Sequence, residues 1–141
     1  MMKNIIILLL MLVCTAILAA PPVTKTYDIS NPVAQPIRVF QKNANLLSIG
    51  LRNSNVVFNA AGYSPYFYMA PSNRTAHANI KTAACAWVTS PTTGTFTASI
   101  GSNDLVTAGN WIYGIGIETN SVITTIVQGL LVITPDPNGG K

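Results

Sequence analysis

Acidic side chains are nearly missing: Asp28, Asp104, Glu118 and Asp136 are the only carboxylates in 141 residues, beside eight Lys and Arg and one histidine, His77. Acid–base, nucleophilic or glycosidic chemistry needs such groups to converge. These four acids fall in four separate segments, and no motif joins them to His77, which reads as a solvated residue of the polar loop Ser72–Ala78. One histidine and two cysteines cannot supply the three or four soft ligands of a zinc site. Calcium through Asp and Asn oxygens stays open at Asn103-Asp104, where a helix cap accounts for the same residues. The chain therefore reads as non-enzymatic, with no catalytic residue, no cofactor and no metal expected.

Charge of either sign is scarce. Charged residues make up 9% of the chain, against about 25% in an average soluble domain. The net charge of +4 comes from Lys3 and from scattered positions beyond it (Lys25, Arg38, Lys42, Arg52, Arg74, Lys81, Lys141) rather than a basic stripe, so no nucleic-acid partner is expected. The surface has to be covered by Ser, Thr, Asn and Gly, as in exported β-proteins and in subunits packed against neighbours. Cysteine is equally sparse. Cys14 lies in the apolar N-terminal run, leaving Cys85 in Ala83-Ala84-Cys85-Ala86-Trp87, a buried strand by composition. Its thiol reads as a small core hydrophobe, with an intermolecular bridge or reactive thiol as the other option. Helical periodicity is absent beyond the N-terminal run.

That run is a strong signal. Lys3 is followed by an uncharged stretch from Ile5 to about Ala20, closing on Leu18-Ala19-Ala20 before Pro21-Pro22. This is the grammar of a secretory leader, cut near Ala19 or Ala20. Its roughly 16 apolar residues fall short of the about 20 that span a bilayer core, so contact with a membrane is expected only through the leader. The organisation expected is a leader helix over 1–20, a Pro-rich extended arm over 21–36 suited to pairing with another subunit, a domain over 37–137 and a flexible tail over 138–141.

What is present in abundance is β-pattern. In Thr95–Ile100, Phe96, Ala98 and Ile100 share one face. In Trp111–Glu118 the alternation is Trp111, Tyr113, Ile115 and Ile117 against Ile112, Gly114, Gly116 and Glu118. Period two means extended strand. Ile123–Thr134 is so rich in Ile, Val, Leu and Thr that both its faces are expected to be covered, with Thr119-Asn120-Ser121 as the hairpin loop before it. Thr24–Ile29, Ile37–Gln41, Leu46–Arg52, Val56–Phe58, Tyr63–Ala70 and Asn79–Thr89 complete the set. Turn signals fall at Lys42–Asn45, Asn53–Asn55 and Ser90–Gly94, and a helical turn capped by Asn103 or Asp104 is expected before Gly109. About eight strands at this spacing predict a single antiparallel β-sandwich of the all-β class. Gly114-Ile115-Gly116 lacks the third glycine and the helix of a dinucleotide fingerprint, and reads as close backbone approach or a bulge. Asn73-Arg74-Thr75 fits a glycosylation sequon, relevant only to a eukaryotic secretory pathway.

Leu46-Leu47-Ser48-Ile49-Gly50-Leu51, Asn55–Phe58, Ala60-Ala61-Gly62-Tyr63, Gly94-Thr95-Phe96, Asp104-Leu105, Gly109 before Trp111-Ile112-Tyr113, and Gly129–Pro135 together resemble the N-terminal immunoglobulin-like sandwich of phage baseplate upper proteins and tail-fibre adapters. The resemblance runs from about Leu46 to Pro137. It implies a structural connector that holds other virion proteins by protein–protein contact, without catalysis or cofactor. Two departures stand out, because family members lack a secretory leader and continue into a helical or fibrous segment, whereas this sequence stops at Lys141.

The residual hint of recognition is aromatic. Alternation sends Phe67 and Met69 inward and Tyr66 and Tyr68 to the opposite face, so Tyr63, Tyr66 and Tyr68 form the candidate interaction face. The expected function is that of a phage virion-associated structural subunit, in the tail, baseplate or capsid, working through other virion or surface proteins as an oligomer or part of an assembly. The alternative is an exported adhesion module whose tyrosines stack on a host-surface glycan or mucin. Localisation is accordingly expected to be exported or virion.

Overall fold

The computed structural model describes residues 22–72, 80–105 and 107–136. The leader helix, His77, the Asn73–Thr75 sequon and the C-terminal tail lie outside the described residues. Ten strands follow in order: β1 (Val23–Asp28), β2 (Ile37–Phe40), β3 (Asn45–Asn53), β4 (Val56–Val57), β5 (Ser64–Pro71), β6 (Lys81–Thr82), β7 (Ala84–Trp87), β8 (Thr95–Ile100), β9 (Gly109–Thr119) and β10 (Val122–Thr134). One sheet runs β1-β3-β8-β7 with β4 paired to β3, and the other runs β2-β10-β9-β5-β6. Among the described residues the remaining regular structure is two short 3-10 turns, Pro91–Thr93 and Ser102–Asp104.

The alternation in the sequence is the alternation in space. Leu47, Ile49 and Leu51 of β3, with Phe96, Ala98 and Ile100 of β8, face Phe67 and Met69 of β5, Trp111, Tyr113, Ile115 and Ile117 of β9, and Leu131 and Ile133 of β10, all buried in one cluster. Each large apolar side chain so enclosed contributes about 1.5–3 kcal/mol relative to exposure. Phe67 stacks on Tyr113 with centroids 5.9 Å apart, and Trp87 meets Phe96 edge-on at 5.6 Å. The core placements expected of Phe67, Met69, Trp111 and Tyr113 hold.

Four expectations need correction. The sheets are mixed rather than purely antiparallel: β1 pairs parallel with β3, Val23 opposite Leu47 through Asp28 opposite Arg52, and β2 pairs parallel with β10, Ile37 opposite Leu131 through Phe40 opposite Thr134. The cause is that β1 and β2 belong to different sheets, so the Pro32–Pro36 segment crosses between layers instead of turning a hairpin. The single strand expected over Asn79–Thr89 is two, β6 on β5 and β7 on β8, because the chain changes sheet at Ala83, whose N–H bonds Phe67 O at 3.0 Å. β7 is a half-buried edge, with Ala84 and Ala86 exposed and Cys85 and Trp87 turned inward. β10 is covered on both faces only in part: Val122–Thr125 are exposed, and a bulge between Thr125 and Val127 resets the register before the strand enters the core.

Turns follow the chemistry. Ser54 and Asn55 (φ 50° and 66°) and Asn120 and Ser121 (φ 49° and 63°) take the left-handed conformations of two-residue hairpin loops. Gly94 closes the Pro91–Thr93 turn at φ 60°, where a Cβ would stand 2.7 Å from Phe58 O and 2.8 Å from Leu51 O.

Candidate functional site

The outer face of the second sheet gathers the unusual residues. Register places Tyr68 opposite Gly114 and Gln128 opposite Gly114 from the other side, and Tyr66 opposite Gly116. The rings of Tyr66 and Tyr68 are neighbours, 6.2 Å apart and tilted by 47°. The two glycines make this possible by close approach. A Cβ on Gly114 would stand 2.1 Å from the Tyr68 ring, and one on Gly116 would stand 2.7 Å from Thr124 O beside the β10 bulge. Both readings of Gly114-Ile115-Gly116, close approach and bulge, therefore apply, one to each glycine. Gln128 Nε2 donates to Tyr68 Oη, which fixes the ring across the strands.

The face continues as an apolar strip. Ala70, Ile112 and Leu130 form the next row, then Asn110, Val132 and Arg38. Ile112, Leu130 and, at the far corner, Phe40 are 37%, 43% and 50% exposed. Two charges bracket the strip. Glu118 sits on β9 opposite Ser64 and Ile123 at one end, and Arg38 sits on β2 opposite Val132 at the other.

The expected face divides into two places. Tyr66 and Tyr68 lie together on the sheet, while Tyr63 precedes β5 at the end of the sandwich, where its ring packs on Phe58 at 6.0 Å and its carbonyl accepts from Trp87 Nε1 at 2.9 Å. The outer face of the first sheet is different in kind, carrying Thr24, Thr26, Ser48, Gly50, Thr97, Ser99, Ala84 and Ala86 by register, with the exposed Leu46 in the Ser99 row and Arg52 at the other end. Such side chains offer hydroxyls but no anchoring ring.

The scattered ionisable groups have structural partners. Asp28 accepts from the Ser30 amide at 2.9 Å and the Ser30 hydroxyl, and from the amides of Ser54 and Asn55 at 3.1 Å each, tying the end of β1 to the β3–β4 turn. These bonds, the Ser30 hydroxyl's first, pull its carboxyl down to about 2. The Asp104 carboxylate accepts from Gly101 N at 3.2 Å across the Ser102–Asp104 turn, so it caps a turn that ends earlier than expected. Lys81 Nζ lies 3.5 Å from Asp104 Oδ1 and 3.2 Å from Asn103 O. At the position considered for calcium, a lysine ammonium already supplies the positive charge. Among the described residues no three His, Cys, Asp or Glu side chains gather as metal ligands, and no helix is long and apolar enough to cross a membrane. Burial pushes the Cys85 thiol up to about 11.

One polar feature escaped the sequence. Tyr27 of β1 and Tyr113 of β9 reach across the interior until their hydroxyls are 2.8 Å apart, and Tyr113 Oη donates to Gln35 O at 2.7 Å. Gln35 Nε2 in turn donates to Thr26 O at 3.0 Å. The ring of Tyr113 passes over Gly129, where a Cβ would lie 2.7 Å from it. No local pattern announces a pair separated by 86 residues; Gly129 within an otherwise bulky strand is the single trace.

No protein family matches the sequence, and neither does any curated protein. The fold has a solved counterpart: the chain is similar to the N-terminal domain of ORF48 of phage TP901-1, with a TM-score of 0.59 over 79% of this chain and 97% of that one, at 10% sequence identity.

Proposed function

We propose that this chain is a non-enzymatic structural subunit of a phage particle, exported or assembled with its leader's help and acting through protein–protein contacts as an immunoglobulin-like connector of the tail, baseplate or capsid. The observation that carries the reading is the likeness in fold to a phage domain, which spans nearly all of that domain despite 10% identity. A charge-poor surface and an aromatic–aliphatic sheet face, rimmed by Arg38 and Glu118, suit burial against protein. The test is mass spectrometry of purified particles from a strain producing the protein. Recovery of its peptides in stoichiometric amounts is expected, and particles of full infectivity that lack it refute the reading.

One observation favours a second reading. Tyr66 and Tyr68 stand side by side, Tyr68 lying over Gly114 next to a side-chain amide, an arrangement able to stack on neutral sugar rings. An exported glycan- or mucin-binding module would bind immobilised mucin glycans and lose that binding in Tyr66→Ala; an assembly subunit would bind protein neighbours and no sugar.

A further inference from the structure

We infer that the outer face of the second sheet is an isologous docking surface for a second copy of this chain, an inference that rests on the reading of the chain as a contact-making subunit and names the partner of its Tyr face. The argument is one of self-complementarity. Arg38 and Glu118 carry the charges of this face, they lie at opposite ends of the apolar strip, and neither has a bonded partner among the described residues. A surface whose two unpaired charges are opposite in sign and bracket an uncharged middle fits a copy of itself turned end for end, because each charge then meets its complement twice.

The register makes that arrangement specific. Arg38 shares a row with Asn110, and Glu118 is eight positions further along β9, so the row midway between the charges is that of Gly114. At about 3.4 Å per residue and about 4.8 Å per strand, the charges are separated by roughly 27 Å along the strands and roughly 10 Å across them. A two-fold axis lying between the faces, perpendicular to that line and passing over the Tyr68–Gly114–Gln128 row, exchanges them. The strands of the two copies then cross at about 40°, near the about 30° at which twisted sheets stack face to face. The same rotation carries the Tyr66–Gly116 row of one copy across the Ile112–Leu130 and Asn110–Val132 rows of the other, so the Tyr66 ring meets exposed aliphatic side chains. Phe40 falls beside the start of β5, at the level of Tyr63.

The area is sufficient. The strip between the charges, four strands wide, covers on the order of 500 Å² in projection, and side-chain relief brings it toward the about 800 Å² per partner of a standard interface. Its composition, aromatic and aliphatic at the centre with charge at the rim, is that of an interface rather than of a solvated face.

Sedimentation velocity on the full chain from about 1 to 200 µM tests this. A concentration-dependent dimer is expected, weakened about tenfold or more by Arg38→Glu or by Glu118→Arg alone and restored to within about threefold in the double reversal. Tyr66→Ala is expected to weaken it without changing the thermal midpoint. A chain monomeric across the range, a dimer indifferent to both single reversals, or a folded double reversal that stays monomeric overturns the proposal. Recovery in particles is read separately, so a monomeric chain found in virions sinks the docking surface and leaves the structural role standing.

Discussion

The Tyr27–Tyr113–Gln35 chain makes an asymmetric prediction. Gln35 O can only accept, so the hydroxyl hydrogen of Tyr113 is committed to it, and the 2.8 Å contact between the two phenols must be donated by Tyr27. Tyr27→Phe then removes one donor while Tyr113 keeps its bond to Gln35, at an expected cost of about 0.5–1.5 kcal/mol. Tyr113→Phe does more harm. It deletes the bond to Gln35 and strands the Tyr27 hydroxyl, on a residue only 1% exposed, without an acceptor, for an expected loss of about 2–3 kcal/mol. Both substitutions keep the ring and open no cavity. In the double variant the stranded donor is gone, so Tyr27→Phe made on top of Tyr113→Phe is expected to be neutral or stabilising. The double should sit about 1 kcal/mol or more above the sum of the singles. Urea unfolding followed by the fluorescence of Trp87 and Trp111 reads these differences directly. Additive costs within about 0.3 kcal/mol, or a Tyr27→Phe cost equal to that of Tyr113→Phe, would refute the donor assignment.

Gly129→Ala drives a methyl into the buried Tyr113 ring and is expected to destabilise by about 1–3 kcal/mol, whereas Gly114→Ala meets the partly exposed Tyr68 ring, which can move outward by giving up its Gln128 bond, and is expected to alter the outer face more than the urea midpoint. The Asp28 carboxyl, held at about 2 in the fold and near 3.9 unfolded, contributes stability that is complete above the unfolded value and is lost as pH falls through the folded one. The acid limb between about pH 4 and 2 should therefore flatten in Asp28→Asn, as measured by thermal melts across that range, and an unchanged limb would assign it elsewhere. Cys85, its thiol raised to about 11, should be alkylated at pH 8 far more slowly in the native protein than in urea, as followed on its own tryptic peptide; equal rates would mean that β7 opens freely.

Most strands were legible because one face of each is buried, and burial writes period two into the sequence. Thr95–Ile100 and Trp111–Glu118 correspond to β8 and β9 within a residue or two at each end. Direction was not legible. Parallel or antiparallel pairing depends on whether a connection turns within a sheet or crosses between sheets, and Pro32 and Pro36 read the same in either case. The break at Ala83 was hidden for a related reason: a single half-buried alanine changes sheets without glycine or proline to mark it. The exposed first third of β10 shows the limit of composition, since Ile and Thr favour pleated backbone whether or not a neighbour covers them. The site was half legible. Alternation put Tyr66 and Tyr68 outward and the glycines suggested close approach, but only cross-strand register reveals that Gly114 lies under the Tyr68 ring and Gly116 against the β10 backbone.

Where recognition can occur follows from how the edges are closed. An unguarded edge strand is the easiest place for a sheet protein to add a partner, and natural sheets blunt it with inward charges, bulges or cover. Each device is in use here. On β1, Lys25 stands opposite Ile49 on the inward side of the strand, and the Gln35 side chain occupies Thr26 O. The strand across from it, β2, is only four residues long and preceded by Pro36, which has no N–H to offer. On β10, the outer edge beyond the reach of β2 carries the Thr125–Val127 bulge. On the opposite flank the chain itself steps from β6 to β7 and ties the two sheets through the Ala83–Phe67 bond. Pairing by strand addition is thus disfavoured on the flanks, and assembly is left to faces and ends. Of the two faces, one carries mainly hydroxyls and methyls, with Leu46 and Arg52 toward its ends, and the other holds rings, several exposed aliphatics and two charges of opposite sign. In the structural role proposed above, contact energy would concentrate on the second.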